Sequence, residues 1–259
     1  MARKNIIIAN WKMNPVSEKE AEKLFKEISK SVSGMKRTDV VVCAPYLYIE
    51  KLRKISKKIA LGAQDAAWTD VGAFTGEVSP DMLAGIGAKY VILGHSERRV
   101  MGEDNALINK KVKAAIQAGL LPILCVGENE RDEKHEYLNL VKAQIKECLE
   151  GISKNLISKV IVAYEPVWAI STTANRRDAV PADSLEMAIF VRKTLSDMVS
   201  SKIAKDVRIL YGGSVNEKDA GDFLRSGGVE GLLVAGPAWM PRNLQRLSAL
   251  RNMALERYS

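Results

Sequence analysis

Short apolar runs punctuate the chain at residues 5–9, 40–44, 59–63, 90–94, 123–126, 160–164, 208–212 and 231–234. Most are continuous, as in Ile6-Ile7-Ile8 and Val40-Val41-Val42. A strand with one solvated face alternates apolar and polar residues, whereas a parallel strand buried on both faces does not. The runs therefore predict parallel strands. The segments between them carry helical signals. Ser17-Glu18-Lys19-Glu20 has capping-box spacing, and Leu24, Phe25 and Ile28 follow at core-facing positions. Pro181-Ala182-Asp183 suits the first turn of a helix whose core positions are read as Leu185, Ile189 and Val191. Gly119 and Gly151 stand where helices should end.

Strand followed by helix, about eight times over, predicts an α/β fold built on a parallel sheet. The alternation alone leaves a closed barrel and an open doubly wound sheet equally available. Neither a linker nor a repeat breaks the 259 residues, and α/β barrels of about 250 residues are commonly one domain. The expectation is a single domain over residues 1–259. The third strand-to-helix connection, roughly residues 64–78, is long enough to predict a functional or interface role.

Composition narrows the classes. Hydrophobic residues at 47% and charged residues at 27% match a soluble globular chain with a sizeable core. The apolar run at Ile6–Ile8 is too short for a signal peptide or a membrane span. Cys43, Cys125 and Cys148 form no CxxC pair, and the first two lie inside strand-like runs. They read as buried small hydrophobes of a cytoplasmic protein. The two histidines, His95 and His135, lack metal-ligand spacing, so no metal is expected, and His135 reads as solvated. The net charge of +8 raises nucleic acid as a partner. However, the lysines lie along amphipathic stretches such as 18–30 and 109–117 without interleaved aromatics. They are read as solvated helix faces, with neither nucleic acid nor membrane as partner. The positive field suits a small phosphorylated substrate.

The polar residues at the strand ends carry the chemistry. Asn10 and Lys12 follow the first run, His95 and Glu97 the fourth, Glu128 the fifth and Glu165 the sixth. In a parallel barrel, the C-terminal strand ends form one mouth, where catalysis is placed. Ionisable groups distant in sequence would converge there.

The strings Asn10-Trp11-Lys12-Met13-Asn14, Gly94-His95-Ser96-Glu97-Arg98-Arg99, Tyr164-Glu165-Pro166-Val167-Trp168-Ala169-Ile170 and Tyr211-Gly212-Gly213-Ser214-Val215 resemble the signature segments of the triosephosphate isomerase family. Gly62-Ala63-Gln64-Asp65, Gly72-Ala73-Phe74-Thr75-Gly76-Glu77 and Cys125-Val126-Gly127-Glu128 resemble it too, in family order along nearly the whole chain. The resemblance implies a (β/α)₈ TIM barrel and interconversion of dihydroxyacetone phosphate and D-glyceraldehyde 3-phosphate through an enediolate, in glycolysis and gluconeogenesis, without a cofactor. It assigns Glu165 as the base, with His95, Lys12, Asn10 and Glu97 completing the catalytic set. It assigns the phosphate to Ser171, Gly213, Ser214, Leu233, Ala235 and Gly236. A homodimer is implied as well, with Thr75 reaching the partner's site.

The chain also departs from that pattern. Ala235-Gly236-Pro237-Ala238 stands where the family has Gly-Gly-Ala-Ser. After Ile170 the family continues Gly-Thr-Gly-Lys into a lid, whereas this chain reads Ser171-Thr172-Thr173-Ala174-Asn175-Arg176-Arg177-Asp178. Closure is expected to persist with altered contacts at the tip, Tyr211 and Ser214 holding the closed lid and Arg176 and Arg177 solvated. The alternative function is a lid-altered barrel that binds a phosphorylated ligand with little or no turnover.

Overall fold

The computed structural model describes residues 3–170, 176–216 and 218–235. Its strands are β1 (Asn5–Asn10), β2 (Thr38–Cys43), β3 (Ala60–Ala63), β4 (Tyr90–Leu93), β5 (Leu121–Val126), β6 (Ile161–Tyr164), β7 (Arg208–Tyr211) and β8 (Gly231–Ala235). They pair in sequence order and close into a barrel, which selects between the two sheets that the alternation left open. Every pairing is parallel; β1 meets β8 from Ile6↔Gly231 to Asn10↔Ala235.

The closed sheet explains why the runs are continuous. Ile6, Ile8, Val41, Cys43, Ile92, Cys125, Ala163, Leu210 and Leu233 fill the barrel interior. Their neighbours Ile7, Ala9, Val40, Val42, Leu93, Leu124 and Val126 face outward into a second layer against the helices. Both faces of each strand are dry, so neither selects polar residues.

The helices are α1 (Glu18–Val32), α2 (Tyr46–Ile55), α3 (Pro80–Ile86), α4 (Ser96–Val100), α5 (Asn105–Gln117), α6 (Glu136–Cys148), α7 (Lys154–Ile157), α8 (Pro181–Met198), α9 (Ser201–Asp206) and α10 (Ala220–Ser226). Ser17 caps α1 by accepting from the Glu20 amide, and Phe25 and Ile28 are buried below it. Burying a side chain of that size stabilises by roughly 1.5–3 kcal/mol. Pro181 opens α8, and Asp183 accepts from the Val180 amide. The core face of α8 differs from the expectation. Ser184, Met187, Ala188, Val191 and Leu195 are buried, while Leu185 and Ile189 are exposed. The buried set repeats every three to four residues, and the two aliphatics lie one step off that stripe. Gly119 and Gly151 adopt φ of 80° and 69° just past α5 and α6, a left-handed conformation that glycine enters without steric cost.

Most lysines project from outer helix faces, as expected, and Lys26–Glu22 and Lys54–Glu50 are surface pairs one turn apart. Lys111 is a correction. It was read as solvated, yet it is 1% exposed, with Nζ 2.8 Å from Asp65 Oδ2 and 2.5 Å from Glu103 Oε1. Its α5 position is buried, and two carboxylates meet its side chain there.

Candidate active site

Four of the five catalytic candidates are linked by polar contacts at the C-terminal mouth, and the fifth joins through the backbone. Asn10 ends β1 nearly buried, and its Oδ1 accepts from the Lys12 amide at 3.0 Å. That bond curls the chain so that Lys12 sits at φ 53°, where a side chain with a β-carbon is strained. Gln64, just past β3, donates to the Lys12 carbonyl at 2.8 Å and to the Cys43 carbonyl at 3.0 Å. The curl aims the Lys12 ammonium across the mouth to Glu97, with which it forms an ion pair.

His95 follows Gly94 and caps α4, with its ring 9% exposed. Its Nδ1 accepts from the Glu97 amide at 3.2 Å. An acceptor nitrogen carries no proton, so the ring's N–H is on Nε2. Nε2 lies 3.3 Å from Glu165 Oε1. Glu165 itself is 2% exposed, and its Oε2 accepts from the Ser96 amide at 3.2 Å. The carboxylate thus rests against the start of α4, accepting from the Ser96 amide with His95 Nε2 beside it.

Two glycines make room for it. A β-carbon on Gly212 would sit 2.8 Å from Glu165 Cγ, and one on Gly127 would sit 1.8 Å from the Glu165 carbonyl oxygen. Both lie within the strings that carry the resemblance, but a place against Glu165 is not expected of either from the sequence. A glycine directly after an apolar strand, beside a strand that ends in a buried acid, is the signal that marks such a close approach. Cys125 packs in the interior below, its thiol pushed up by burial and by the Glu165 charge.

Glu128 takes a different place from the catalytic set. It is 1% exposed, and one oxygen accepts from Tyr164 Oη at 2.7 Å, Trp168 Nε1 at 2.9 Å and Arg131 Nε at 3.3 Å. It holds the 3₁₀ turn Val167–Ala169 behind Glu165, and the Val167 amide donates to its carbonyl at 2.9 Å. Burial and the adjacent Glu128 carboxylate push the Tyr164 phenol well above its ordinary range.

Beyond that turn, Arg176 pairs with Asp178 at 3.2 Å, which fits a surface position. Arg177 is exposed, as expected, but it is not free of the fold. Its guanidinium lies 4.2 Å from the centroid of the Trp168 ring, and its amide donates to the Trp168 carbonyl at 3.3 Å. An exposed arginine is drawn there because the indole face is electron-rich and its other edge is already fixed.

On the phosphate side, Gly213 lies against the Tyr211 hydroxyl, and the Ser214 amide is 3.4 Å from the Ala169 carbonyl. Ala235 ends β8, half-buried beside Asn10. Leu233 lies two residues deeper, in the barrel interior. Ser171 and Gly236 lie outside the described residues, as does most of the altered lid. Thr75 is exposed in the long connection between β3 and α3. His135 is exposed at the start of α6, with Nδ1 3.2 Å from Tyr137 Oη.

Similarity to known proteins agrees with this geometry. A family model described as triosephosphate isomerase matches residues 5–251. The chain is 40% identical to triosephosphate isomerase of Dictyoglomus thermophilum, covering 93% of this chain and 97% of that one. It is also 40% identical to the enzyme of Caldanaerobacter subterraneus subsp. tengcongensis, with 95% and 98% covered. The crystal structure of triosephosphate isomerase from Bartonella henselae superposes with a TM-score of 0.84 at 30% identity, covering 96% of this chain and all of that one. The chain closes into an eight-stranded parallel barrel, and by these matches it belongs to the triosephosphate isomerase family.

Proposed function

We propose that this isomerase, glycolytic by its family, interconverts dihydroxyacetone phosphate and D-glyceraldehyde 3-phosphate with Glu165 as its base. The observation that carries the assignment is the buried Glu165 carboxylate, 3.3 Å from His95 Nε2 at the barrel mouth. Glu165 takes a proton from the carbon beside the carbonyl. The His95 Nε2–H faces the same space and donates to the oxygen on which enediolate charge develops. Lys12 adds fixed positive charge, held at the mouth by Glu97, and Asn10 fixes the turn that aims it. Returning the proton to the neighbouring carbon completes the reaction without a cofactor.

The phosphate goes to the amides that follow β7 and β8, at Gly213, Ser214, Ala235 and Gly236, with Ser171 closing from the lid. Leu233 supports this set from within the barrel. The chain acts as one barrel domain over residues 1–259, in the cytoplasm. No helix among the described residues is long and apolar enough to cross a membrane.

A homodimer completes the reading. Met13, Tyr46, Leu47, Phe74, Met82 and Met101 are exposed on the loops and helix starts around the mouth. A hollow of about 370 Å³ opens among Lys12, Met13, Tyr46, His95, Glu97 and Met101, joining this apolar rim to the catalytic groups. A self-complementary surface of this kind fits a twofold partner whose long loop, with Thr75, enters the hollow. Replacing Glu165 by glutamine keeps its shape and removes its basicity, and the isomerisation rate of that variant tests the proposal.

A further inference from the structure

Arg177 stands where the family's lid pattern is lost, and its contacts lead back toward the base. The Trp168 indole is held on three sides. Its Nε1 donates to the buried Glu128 carboxylate at 2.9 Å. The Arg131 guanidinium lies 5.4 Å from the ring centroid, fixed by Glu128, Asp183 and Glu186. The Arg177 guanidinium lies closer, at 4.2 Å. The Arg177 amide meets the Trp168 carbonyl at 3.3 Å, so main chain and side chain hold the same residue. Arg177 is exposed and forms no ion pair among the described residues, which leaves the indole face as its fixed contact.

Trp168 lies three residues from Glu165 and is joined to it by a turn with little slack. The amides of Glu165 and Val167 donate to Val126 and Glu128 carbonyls at 2.8 and 2.9 Å, and the Ala169 amide donates to the Pro166 carbonyl at 2.8 Å. The side of the turn facing α6 and α8 is held by buried charge. The outer side is held by Arg177.

We propose that Arg177 is a positioning residue for the isomerase reaction, its planar guanidinium fixing Trp168 against Glu128 and, through the turn, the aim of the Glu165 carboxylate. The inference rests on Glu165 being the base, which the Glu165→Gln variant tests separately. A group that positions the base affects the chemical step more than substrate binding, because misplacement of reacting groups costs rate.

The test is Arg177→Ala in the wild type and in a Trp168→Phe background. Far-UV circular dichroism checks the fold, which replacing an exposed residue should leave intact. The expected result is a fall in kcat of about three- to tenfold with KM within about twofold, and a change in indole emission that Trp168→Phe abolishes. The kcat loss should shrink in the Trp168→Phe background, as coupling between contacting residues requires. Arg177→Lys keeps the charge but loses the plane and should not restore kcat. Wild-type constants in Arg177→Ala would overturn the proposal, as would an equal loss in both backgrounds. A KM raised more than about tenfold at unchanged kcat would assign Arg177 to the phosphate instead.

Discussion

At the residue scale, burial decides which groups are chemically available. The chain has three free cysteines, and a thiol in an enzyme could be taken for a nucleophile. All three are buried. Burial pushes the Cys43 and Cys125 thiols far above the ordinary range and the Cys148 thiol up to about 11. A thiol reacts as its thiolate, so at neutral pH all three should stay silent toward Ellman's reagent in the native protein. Titration should find three reactive thiols only after denaturation; a fast native phase would mean that one is exposed. Glu165 shares this dry environment but accepts from the Ser96 amide, with His95 Nε2 3.3 Å away. The sequence made Glu165, His95, Lys12 and Asn10 legible, because a polar residue ending a two-faced apolar strand has few other reasons to be there. It could not reveal the left-handed backbone of Lys12 or the stacking of Arg177 on Trp168. Those depend on contacts between segments that no local pattern encodes.

At the element scale, a buried ionic cluster joins the long loop to the helices that carry His95. Asp65 follows β3, Arg98 lies on α4, Glu103 precedes α5 and Lys111 sits within it. Arg98 reaches Asp65 at 2.9 Å and Glu103 at 2.5 Å, and Lys111 bridges the same two carboxylates. Burial raises the Asp65 carboxyl. For Glu103, burial pushes the same way, but hydrogen bonds from Lys111 and Arg98 outweigh it and leave the carboxyl lowered. Removing the buried cation leaves Asp65 and Glu103 to share Arg98, the more exposed of their two cationic partners, and strips the buried side of the cluster of its charge. Lys111→Met should therefore cost about 3–5 kcal/mol of stability by denaturant unfolding, and a loss below about 1 kcal/mol would show the cluster to be dispensable. Periodicity and capping signals located α1 and α8 and the ends of α5 and α6, but misjudged the faces of α8 and α5. Leu185 and Ile189 were assigned inward because they are apolar, although the stripe through Met187, Val191 and Leu195 turns them out. Lys111 was assigned outward because it is charged, although its partners lie on segments far away in sequence.

At the scale of the whole molecule, the barrel brings eight strand ends to one opening and leaves an apolar rim around it. Its exposed apolar side chains favour a twofold partner, and sedimentation at micromolar concentration should find a dimer; a lone monomer would remove Thr75 from the site. Closure of the sheet was beyond the sequence pattern, since alternating strands and helices also build open sheets, and only the resemblance favoured a barrel. Proton transfer by one carboxylate remains the centre of the account. It is tested most directly by the rate at which Glu165→Gln converts dihydroxyacetone phosphate and glyceraldehyde 3-phosphate in a coupled assay, beside the wild type. The account predicts an active wild type and a kcat lower by about 10²- to 10⁴-fold in the variant, with affinity for 2-phosphoglycolate retained. A variant within about tenfold of the wild-type kcat would contradict it, because an amide cannot take the proton that the mechanism moves.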